Sequence, residues 1–444
     1  MNEYSRQDII DIVEEEDVSF IRLQFTDMHG TLRNIAVPVG QLDKVLNNEV
    51  KIERSSMEGF EGDGEFYLFL VPDPNTFKIL PWRPQHGKVG RLLCDLYTAD
   101  GKPFWGCSRS VLKRVFSEAR EMGYSFRVGS ECEFFMFNTD NEGRGTTHTP
   151  EHAGLYDVEP KDTGENARRD IVLTLEEMGF QMESSYHEMA PGQHEVDFHW
   201  TKGLDSADNL MTFKNTVRTI ARRHGMHATF MPKPKTGVPG SGMHLNLALY
   251  DREGKNLFYD AEKPMCLSDT GRYFIGGLFR YMDAMCVITN PLVNSYKRLL
   301  DNEQTSFYKA WSSSSESALL RIPAPIGTDL RLELRSPDPA ANPYLALSAV
   351  LAAGMRGIQE KICPPAPVDR GNDRMTEEEK RVHHIPSLPN TLGEAIQALE
   401  ADDFFCKVLG ERYVANYLNL KRREWREYMK EVSAWEVKKY LYTI

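Results

Sequence analysis

The sequence has no excess of basic residues, no paired-cysteine motif and no long apolar run. Asp and Glu outnumber Lys and Arg by 65 to 53, giving a formal net charge of −12, which argues against a nucleic-acid partner because such binders neutralise phosphates. The seven cysteines include no Cys-x-x-Cys pair, so we expect reduced thiols and a cytoplasmic location. The apolar stretch 345–355 is too short for a membrane span, and the polar start is not typical of a signal peptide.

A chain of 444 residues is long enough for two domains. The first hundred residues predict a small α/β unit, and we place a domain boundary within 104–108. Before it, Asp100-Gly101 predicts a hairpin turn between strands at 91–97 and 102–106. After it, strands alternate with helices, which favours a curved mixed sheet with helices outside.

The segment Glu183–Asp197 is unusually rich in groups that titrate or bind cations. It carries four carboxylates and two histidines around a Pro-Gly turn. Carboxylates that are this dense repel one another and lose solvation when buried. A bound cation would remove both penalties, so the segment points to a metal site, and the turn would bring Glu188 close to Glu195.

Two other segments place charges on one face of a predicted strand. Glu131 and Glu133 are two residues apart, and so are Arg331, Glu333 and Arg335; successive side chains of a strand point to opposite faces, so each set shares a face. His244 follows a glycine-rich stretch that leads into a third strand.

Each of these features alone has an ordinary explanation. Alternating acids usually mark a solvated sheet face, and a single histidine is more often a hydrogen-bonded core residue. Together they predict an oxygen-dominated site with one imidazole, a donor set that suits Mg²⁺ or Mn²⁺. Neighbouring arginines suit an anionic substrate or a transferring phosphoryl group.

Four motifs resemble the glutamine synthetase family of the bacterial type I, short-subunit kind: Ala-Pro-Gly-Gln-His-Glu, Lys-Pro before Gly-Ser-Gly-Met-His, Asn-Ser-Tyr-Lys-Arg-Leu, and Arg-Ser-Pro-Asp-Pro-Ala-Ala-Asn-Pro-Tyr-Leu. The resemblance covers nearly the whole chain. It implies an α+β fold, with an N-terminal β-grasp domain (1–105) and a C-terminal catalytic domain (106–444) built on a curved, mostly antiparallel sheet with surrounding helices. It also implies a dodecamer of two hexameric rings, with active sites between subunits.

The resemblance further implies a reaction, its cofactors and its residues. ATP would phosphorylate L-glutamate to γ-glutamyl phosphate, which ammonia then attacks, with two Mg²⁺ or Mn²⁺ ions per site. By position, Glu133, Glu188 and Glu195 would hold one metal, and Glu131, His244 and Glu333 the other. The remaining roles would be glutamate binding by Arg298, Arg335 and Gly240, phosphate binding by Arg321, and acceptor-side catalysis by Glu53 and Glu303.

The chain departs from the family in three loops. The family's flap glutamate aligns without gaps to Gln304, whose amide takes up no proton, so Glu303 would serve only after a register shift. The family's Asp-Gly-Ser-Ser is Glu53-Arg-Ser-Ser56 here, and an arginine that assists phosphoryl transfer is replaced by Glu316.

Three functions are therefore compatible with the sequence. The first is glutamine synthetase. The second retains γ-glutamyl phosphate chemistry but uses an organic amine, such as a polyamine or alkylamine, in place of ammonia. The third is a weakly active or inactive paralogue that acts through assembly or a regulatory partner.

Overall fold

The computed structural model describes residues 4–62, 64, 66–83, 86–300, 307–315, 318–368 and 385–444. Its first unit is a sheet whose central strands are parallel and whose other pairs are antiparallel, in the order β2-β1-β6-β4-β3 with β5 beside β6. The strands are β1 Val18–Thr26, β2 Leu32–Pro38, β3 Lys51–Glu53, β4 Tyr67–Pro72, β5 Lys78–Ile79 and β6 Lys88–Tyr97; the helices are α1 Arg6–Glu15 and α2 Leu42–Leu46.

The second unit is built on a curled sheet ordered β12-β13-β14-β11-β7-β9-β8. Its long central strand, β7, pairs first with β11 and then, farther along, with β10, so the sheet bends around it. Among the described strands of this second sheet, only β12 and β13 pair in parallel. The strands are β7 Ser125–Asn138, β8 Met182–His187, β9 Gln193–Lys202, β10 Met226–Thr229, β11 Met243–Tyr250, β12 Trp311–Ser312, β13 Leu320–Arg321 and β14 Leu332–Leu334.

Helices cover the outer side of this sheet. The Ala-rich α8 begins at Pro343, capped by the Asn342 side chain, and is buried for most of its length. It packs closely on α6, where a Cβ at Gly277 would meet the Ala353 carbonyl oxygen at 2.1 Å. The helices are α3 Ser108–Glu121, α4 Glu165–Glu177, α5 Asp205–Arg223, α6 Asp269–Thr289, α7 Val293–Leu300, α8 Pro343–Glu360, α9 Leu392–Glu400, α10 Asp403–Leu409, α11 Glu411–Tyr428 and α12 Ala434–Tyr440.

The described helices include none with the length and apolarity needed to cross a membrane. The predicted strand at 102–106 is wrong, since the chain makes only one bridge there, Tyr97 with Pro103. Pro103 lacks the N–H that would extend a ladder, and the chain turns instead into α3.

Arg109 lies at the centre of a buried ion-pair network that joins the two units. It donates to Asp208 of α5 at 2.7 and 3.0 Å, to Asp73 at 2.8 Å and to Asp95 of β6 at 3.2 Å. Tyr344 of α8 donates to the same Asp208 carboxylate at 2.7 Å. This network joins residues on both sides of the predicted domain boundary at 104–108. The position of that boundary therefore stays a prediction.

Replacing Arg109 with Met should lower the free energy of unfolding by about 3–5 kcal/mol, because several buried carboxylates lose their shared cation. Urea unfolding followed by circular dichroism measures the change. Arg120→Met, at an exposed position of the same helix, is the matched control and should stay within about 0.5 kcal/mol. Equal effects of the two substitutions would contradict the role given to the network.

Candidate active site

Register across four adjacent strands brings the predicted acids to one face of the curled sheet. Glu131 of β7 lies opposite His244 of β11 on one side and opposite Asp197 of β9 on the other. Two residues along, Glu133 lies opposite Glu195. Directly opposed residues of antiparallel strands have neighbouring side chains on one face, so strand pairing alone assembles this cluster.

One group consists of Glu131, His244 and Glu333, whose ligand-type atoms all lie within 4.8 Å of one another. His244 Nδ1 is 3.2 Å from Glu131 Oε2 and 3.7 Å from Glu333 Oε1. Burial, followed by the charge of Arg335, lowers the pKa of His244, so its imidazole is neutral, as a metal ligand must be. Burial opposes ionisation of Glu131, but its hydrogen bond with His244 lowers its pKa to about 2.

The other group consists of Glu133, Glu188 and Glu195. Glu133 Oε2 accepts from Gln193 Nε2 and Gly242 N, each at 2.9 Å, and Glu195 accepts from the Tyr186 hydroxyl at 2.6 Å. Burial and then the Glu188 charge raise the pKa of Glu133 to about 7. Burial, Asp197 and Glu133 raise that of Glu195, and burial raises that of Glu188. This group therefore has more negative charge than its surroundings neutralise.

The donor sets fit hard divalent cations. Both groups offer mainly carboxylate oxygens, with one imidazole, which Mg²⁺ and Mn²⁺ accept. Burial raises the pKa values of Glu133, Glu188 and Glu195, and a cation beside these carboxylates would offset that penalty. Asp197 Oδ1, buried beside them, has no hydrogen-bond partner among the described residues.

Three predicted arginines surround the cluster in different ways. Arg335 Nη1 donates to Glu333 Oε1 at 2.6 Å, and Arg321 Nε donates to Glu333 Oε2 at 2.5 Å. Arg298 is buried and donates to the carbonyl oxygens of residues 335, 336 and 337. The Nε atoms of Arg298 and Arg335 are buried without a partner among the described residues, so these guanidinium groups retain donors.

Gly240 lies beside the cluster in a position that admits no side chain. A Cβ there would meet the Pro232 carbonyl oxygen at 2.3 Å, and its own carbonyl oxygen accepts from Gln193 Nε2 at 3.2 Å. Gln193 thus connects Gly240 to Glu133.

Of the predicted acceptor-side residues, the structure describes only Glu53, and Glu53 belongs to the other sheet. Glu53 ends β3 in the amino-terminal sheet, is exposed, and has no side-chain ion pair among the residues that the structure describes. Glu303, Gln304 and Glu316 lie outside the described residues. Their roles stay predictions.

Several residues that support the site were not predicted from the sequence. Asn246 donates to Glu131 Oε1 at 2.8 Å, and Gln193 and Tyr186 donate to Glu133 and Glu195. Asn246 is two residues after His244, so the same strand periodicity that groups Glu131 with Glu133 could have identified it.

A second cluster of metal-ligand types, Glu151, His187 and His194, lies behind the first. Glu151 already accepts from His187 Nε2 at 2.8 Å and from Thr163 N and Oγ1 at 3.0 and 2.8 Å. Arg168 donates to His194 Nδ1 at 2.9 Å. The neutral His194 ring therefore carries its hydrogen on Nε2 and is no metal ligand there. The His187 ring, also bonded to the Glu188 carbonyl oxygen at 2.6 Å, positions the site segment.

The site predicts that divalent-metal binding is linked to pH. Glu133 has a raised pKa of about 7 against an ordinary value of 4.5, so the metal-free folded state binds more protons than the unfolded state between those values. Its contribution to the free energy of unfolding therefore falls as pH rises through that window. A metal must displace those protons, so Mg²⁺ should bind more tightly at about pH 7.5 than at about pH 6, with proton release.

Titration calorimetry in buffers of different ionisation enthalpy measures the released protons. The pKa of Glu131 is lowered from 4.5 to about 2, so this group releases no protons between about pH 6 and about pH 7.5. Glu133→Gln should reduce the release, whereas Glu176→Gln, an exposed residue of α4, should not. Binding without proton release in the unsubstituted protein would contradict the proposed ligand set.

Two family models match this chain and together cover most of its length. The family model "Glutamine synthetase, beta-Grasp domain" matches residues 17–99, and "Glutamine synthetase, catalytic domain" matches residues 105–440. Curated relatives include "Glutamine synthetase" of Clostridium saccharobutylicum, 49% identical over 441 residues and 99% of each chain, and that of Staphylococcus aureus, 46% identical over 440 residues, 99% of this chain and 98% of the relative.

Solved structures give the same result for the fold. "Apo GmaS without ligand" has a TM-score of 0.87 at 30% identity, covering 98% of this chain and 100% of that one. "GmaS/ADP complex-Conformation 1" has a TM-score of 0.86 at 30% identity, with 97% and 98% covered. These matches confirm the predicted α+β fold with its β-grasp and catalytic domains. The two family models and the full-length relatives show that the chain belongs to the glutamine synthetase family.

Proposed function

We propose that this chain is an ATP-dependent ligase that makes L-glutamine from L-glutamate and ammonia. The observation that carries the proposal is the cluster of carboxylates and one imidazole on the curled sheet, with Arg298, Arg321 and Arg335 around it. Family membership implies the use of ATP and a divalent metal. A structure of a relative is named as an ADP complex, which supports a nucleotide here.

Mg²⁺ or Mn²⁺ ions, two per site, fit the two donor groups, Glu133 with Glu188 and Glu195, and Glu131 with His244 and Glu333. When bound, they supply positive charge that offsets the charge on the transferring phosphoryl group. Trp200, Asn246 and Arg331 lie around Glu131, and they would offer a nucleotide an aromatic face for its base and a cation for its phosphates.

The protein's own residues would bind and orient the substrates. Arg298 and Arg335 hold glutamate carboxylates, with the Gly240 backbone at the amino-acid end, and Arg321 neutralises phosphate charge. The γ-carboxylate oxygen attacks the γ-phosphorus of ATP and ADP leaves. Ammonia nitrogen then attacks the acyl carbon, phosphate departs with that oxygen, and the nitrogen loses one proton to the departing phosphate or to solvent, which yields the amide. Arginines aimed at phosphate oxygens act mainly by electrostatic stabilisation.

An organic amine in place of ammonia is the second candidate. The observation that favours it is the changed acceptor-side sequence at Glu53-Arg54, Gln304 and Glu316 beside an intact metal-ligand set. Arg54 occupies a position where the family has glycine, and its guanidinium donates to the Gly62 carbonyl oxygen. A weakly active or inactive paralogue is the third candidate, and the same substitutions favour it.

We also propose a homo-oligomer, as a dodecamer of two hexameric rings in the cytoplasm, with Glu53 and Glu303 acting at sites shared between subunits. The support is the C-terminal end of the chain, where α12 and its flanks expose large apolar side chains. These are Met429, Val432, Trp435, Val437, Tyr440, Leu441, Tyr442 and Ile444. A free monomer rarely exposes so many together. All seven cysteines are free thiols, as expected of a reducing compartment.

Glutamate-dependent ADP release with Mg²⁺ should be fast with ammonium and slow with a panel of alkylamines and polyamines. A product assay for glutamine against γ-glutamyl amides accompanies it. Faster release with an amine than with ammonium would replace the first candidate by the second. If the protein binds ATP but releases no ADP with any acceptor, only the third candidate, the weakly active or inactive paralogue, would remain.

Glu188→Gln should reduce turnover by about 10²-fold or more, because a neutral amide removes one charge from the cluster. Rate and Mg²⁺ dependence are measured together; a raised Mg²⁺ requirement is expected if Glu188 is a ligand. Glu176→Gln should leave both unchanged. An unaltered Mg²⁺ dependence of Glu188→Gln would remove it from the ligand set.

Removing residues 434–444 should reduce the assembly size measured by light scattering, because the exposed apolar side chains of α12 are lost. The full chain should run as a particle of many subunits. Tyr4→Ser, at an exposed apolar position near the other terminus, is the control. A full chain that is monomeric would contradict both the assembly and the shared site.

A further inference from the structure

A cavity of about 430 Å³ lies at the junction of the two units, apart from the carboxylate cluster. The β1–β2 turn forms one wall, one face of α5 forms the second, and the segments 229–231 and 339–340 close it. The turn is fixed against the catalytic unit, because Gly30 adopts a φ of +83° and a Cβ there would meet Asn342 Cα at 2.8 Å.

Two cations one helical turn apart, Lys214 and Arg218, line the cavity, and neither forms an ion pair with a carboxylate among the described residues. Lys214 is 7% exposed and donates to the Ala341 carbonyl oxygen at 3.2 Å. Arg218 lies over the Phe230 ring, 5.0 Å from its centroid, and forms no ion pair among the described residues. Burial lowers the pKa of Lys214 to about 8; Arg218 acts in the same direction, and Cys132 and Asp338 act against it. Like charges one helical turn apart repel, and among the described residues no carboxylate is in ion-pair contact with either cation.

The other polar groups around the cavity are suited to hold an anion between these cations. Asn215, Thr31 and Thr229 supply amide and hydroxyl groups at its wall. His29 is also in the wall, but its Nε2 is 3.1 Å from Glu58 Oε2, so that nitrogen is engaged by a carboxylate. The net positive character of the interior therefore comes from Lys214 and Arg218.

We propose that this cavity binds a small oxyanion, a phosphate or carboxylate group of a compact metabolite, between Lys214 and Arg218. An oxyanion accepts several hydrogen bonds at once, and charge-assisted bonds of this kind are the strongest that a protein surface offers. The remaining N–H groups of Lys214 and the guanidinium of Arg218 provide the donors, and Asn215 completes them.

The cavity shares walls with the proposed glutamate site. Phe230 and Met231 run directly into Pro232, whose carbonyl oxygen accepts from Ser241 N at 2.8 Å next to Gly240. Pro339 follows the segment whose carbonyl oxygens hold Arg298. Occupancy of the cavity would thus be linked to glutamate binding. This coupling rests on the proposed function, but the binding of the oxyanion does not.

The test is titration calorimetry of the full-length protein, free of metal and nucleotide, with inorganic phosphate in one arm and malonate in the other. Saturable binding of either anion supports the site. The anion that binds with the higher affinity shows whether the site prefers a phosphate or a carboxylate group. Arg218→Gln should weaken binding by about 10-fold or more. Arg222→Gln, exposed one turn farther along α5 and outside the cavity, should not change it.

Arg335→Gln separates this cavity from the catalytic cluster. If Arg335→Gln abolishes binding and Arg218→Gln does not, the anion occupies the catalytic site and the proposal is overturned, as it is if neither anion binds. Lys214→Met keeps the length and apolar stem of a buried residue, and it should also lose binding while its thermal unfolding stays cooperative. The binding result holds whether or not the chain makes glutamine.

Discussion

The repulsion among carboxylates on the open face of the curled sheet is the constraint around which the catalytic unit is arranged. Strand register places Glu133 opposite Glu195 and Glu131 opposite Asp197, and like charges in directly opposed positions destabilise a sheet. The protein neutralises only part of this charge: Arg321 and Arg335 engage Glu333, while Gln193, Gly242 and Tyr186 donate to neighbouring carboxylates. Burial and then the remaining negative charge raise the pKa values of Glu133 and Glu195, and bound divalent cations would offset both effects.

A fold can hold such a cluster only if the surrounding structure is rigid. Behind the site, Glu151 bonds to His187 and to the Gly192 amide, which fixes both ends of the Pro-Gly turn between Glu188 and Gln193. Helices α6 and α8 pack so closely that Gly277 has no room for a side chain. Arg109 ties the sheet unit to the β-grasp unit through buried carboxylates. Supporting contacts of this kind keep charged ligands in place before a metal binds.

The sequence was sufficient to predict the family, the two-domain α+β fold and the residues that meet on the sheet. Glu131 with Glu133 followed from a period of two, and the turn between Glu188 and Glu195 from Pro191-Gly192. The hairpin strand at 102–106 was wrong, because a local turn signal competed with Pro103. The Glu151–His187 pair was not predictable, since its members are 36 residues apart and only tertiary packing brings them together. The cavity between Lys214 and the β1–β2 turn was missed for the same reason.

The activating and the accepting halves of the proposed reaction are encoded by different parts of the chain. The proposed metal ligands Glu131, Glu133, Glu195, His244 and Glu333 lie in paired strands, where a one-residue shift would move them to the opposite face, so they vary only at the expense of the fold. Glu53 lies at the exposed end of a three-residue strand, and Glu303, Gln304 and Glu316 belong to loops in the sequence pattern. Loops tolerate substitution far better than paired strands do. Under the proposed function, substitutions in these loops would therefore change the nitrogen acceptor while phosphoryl transfer to the γ-carboxylate is retained.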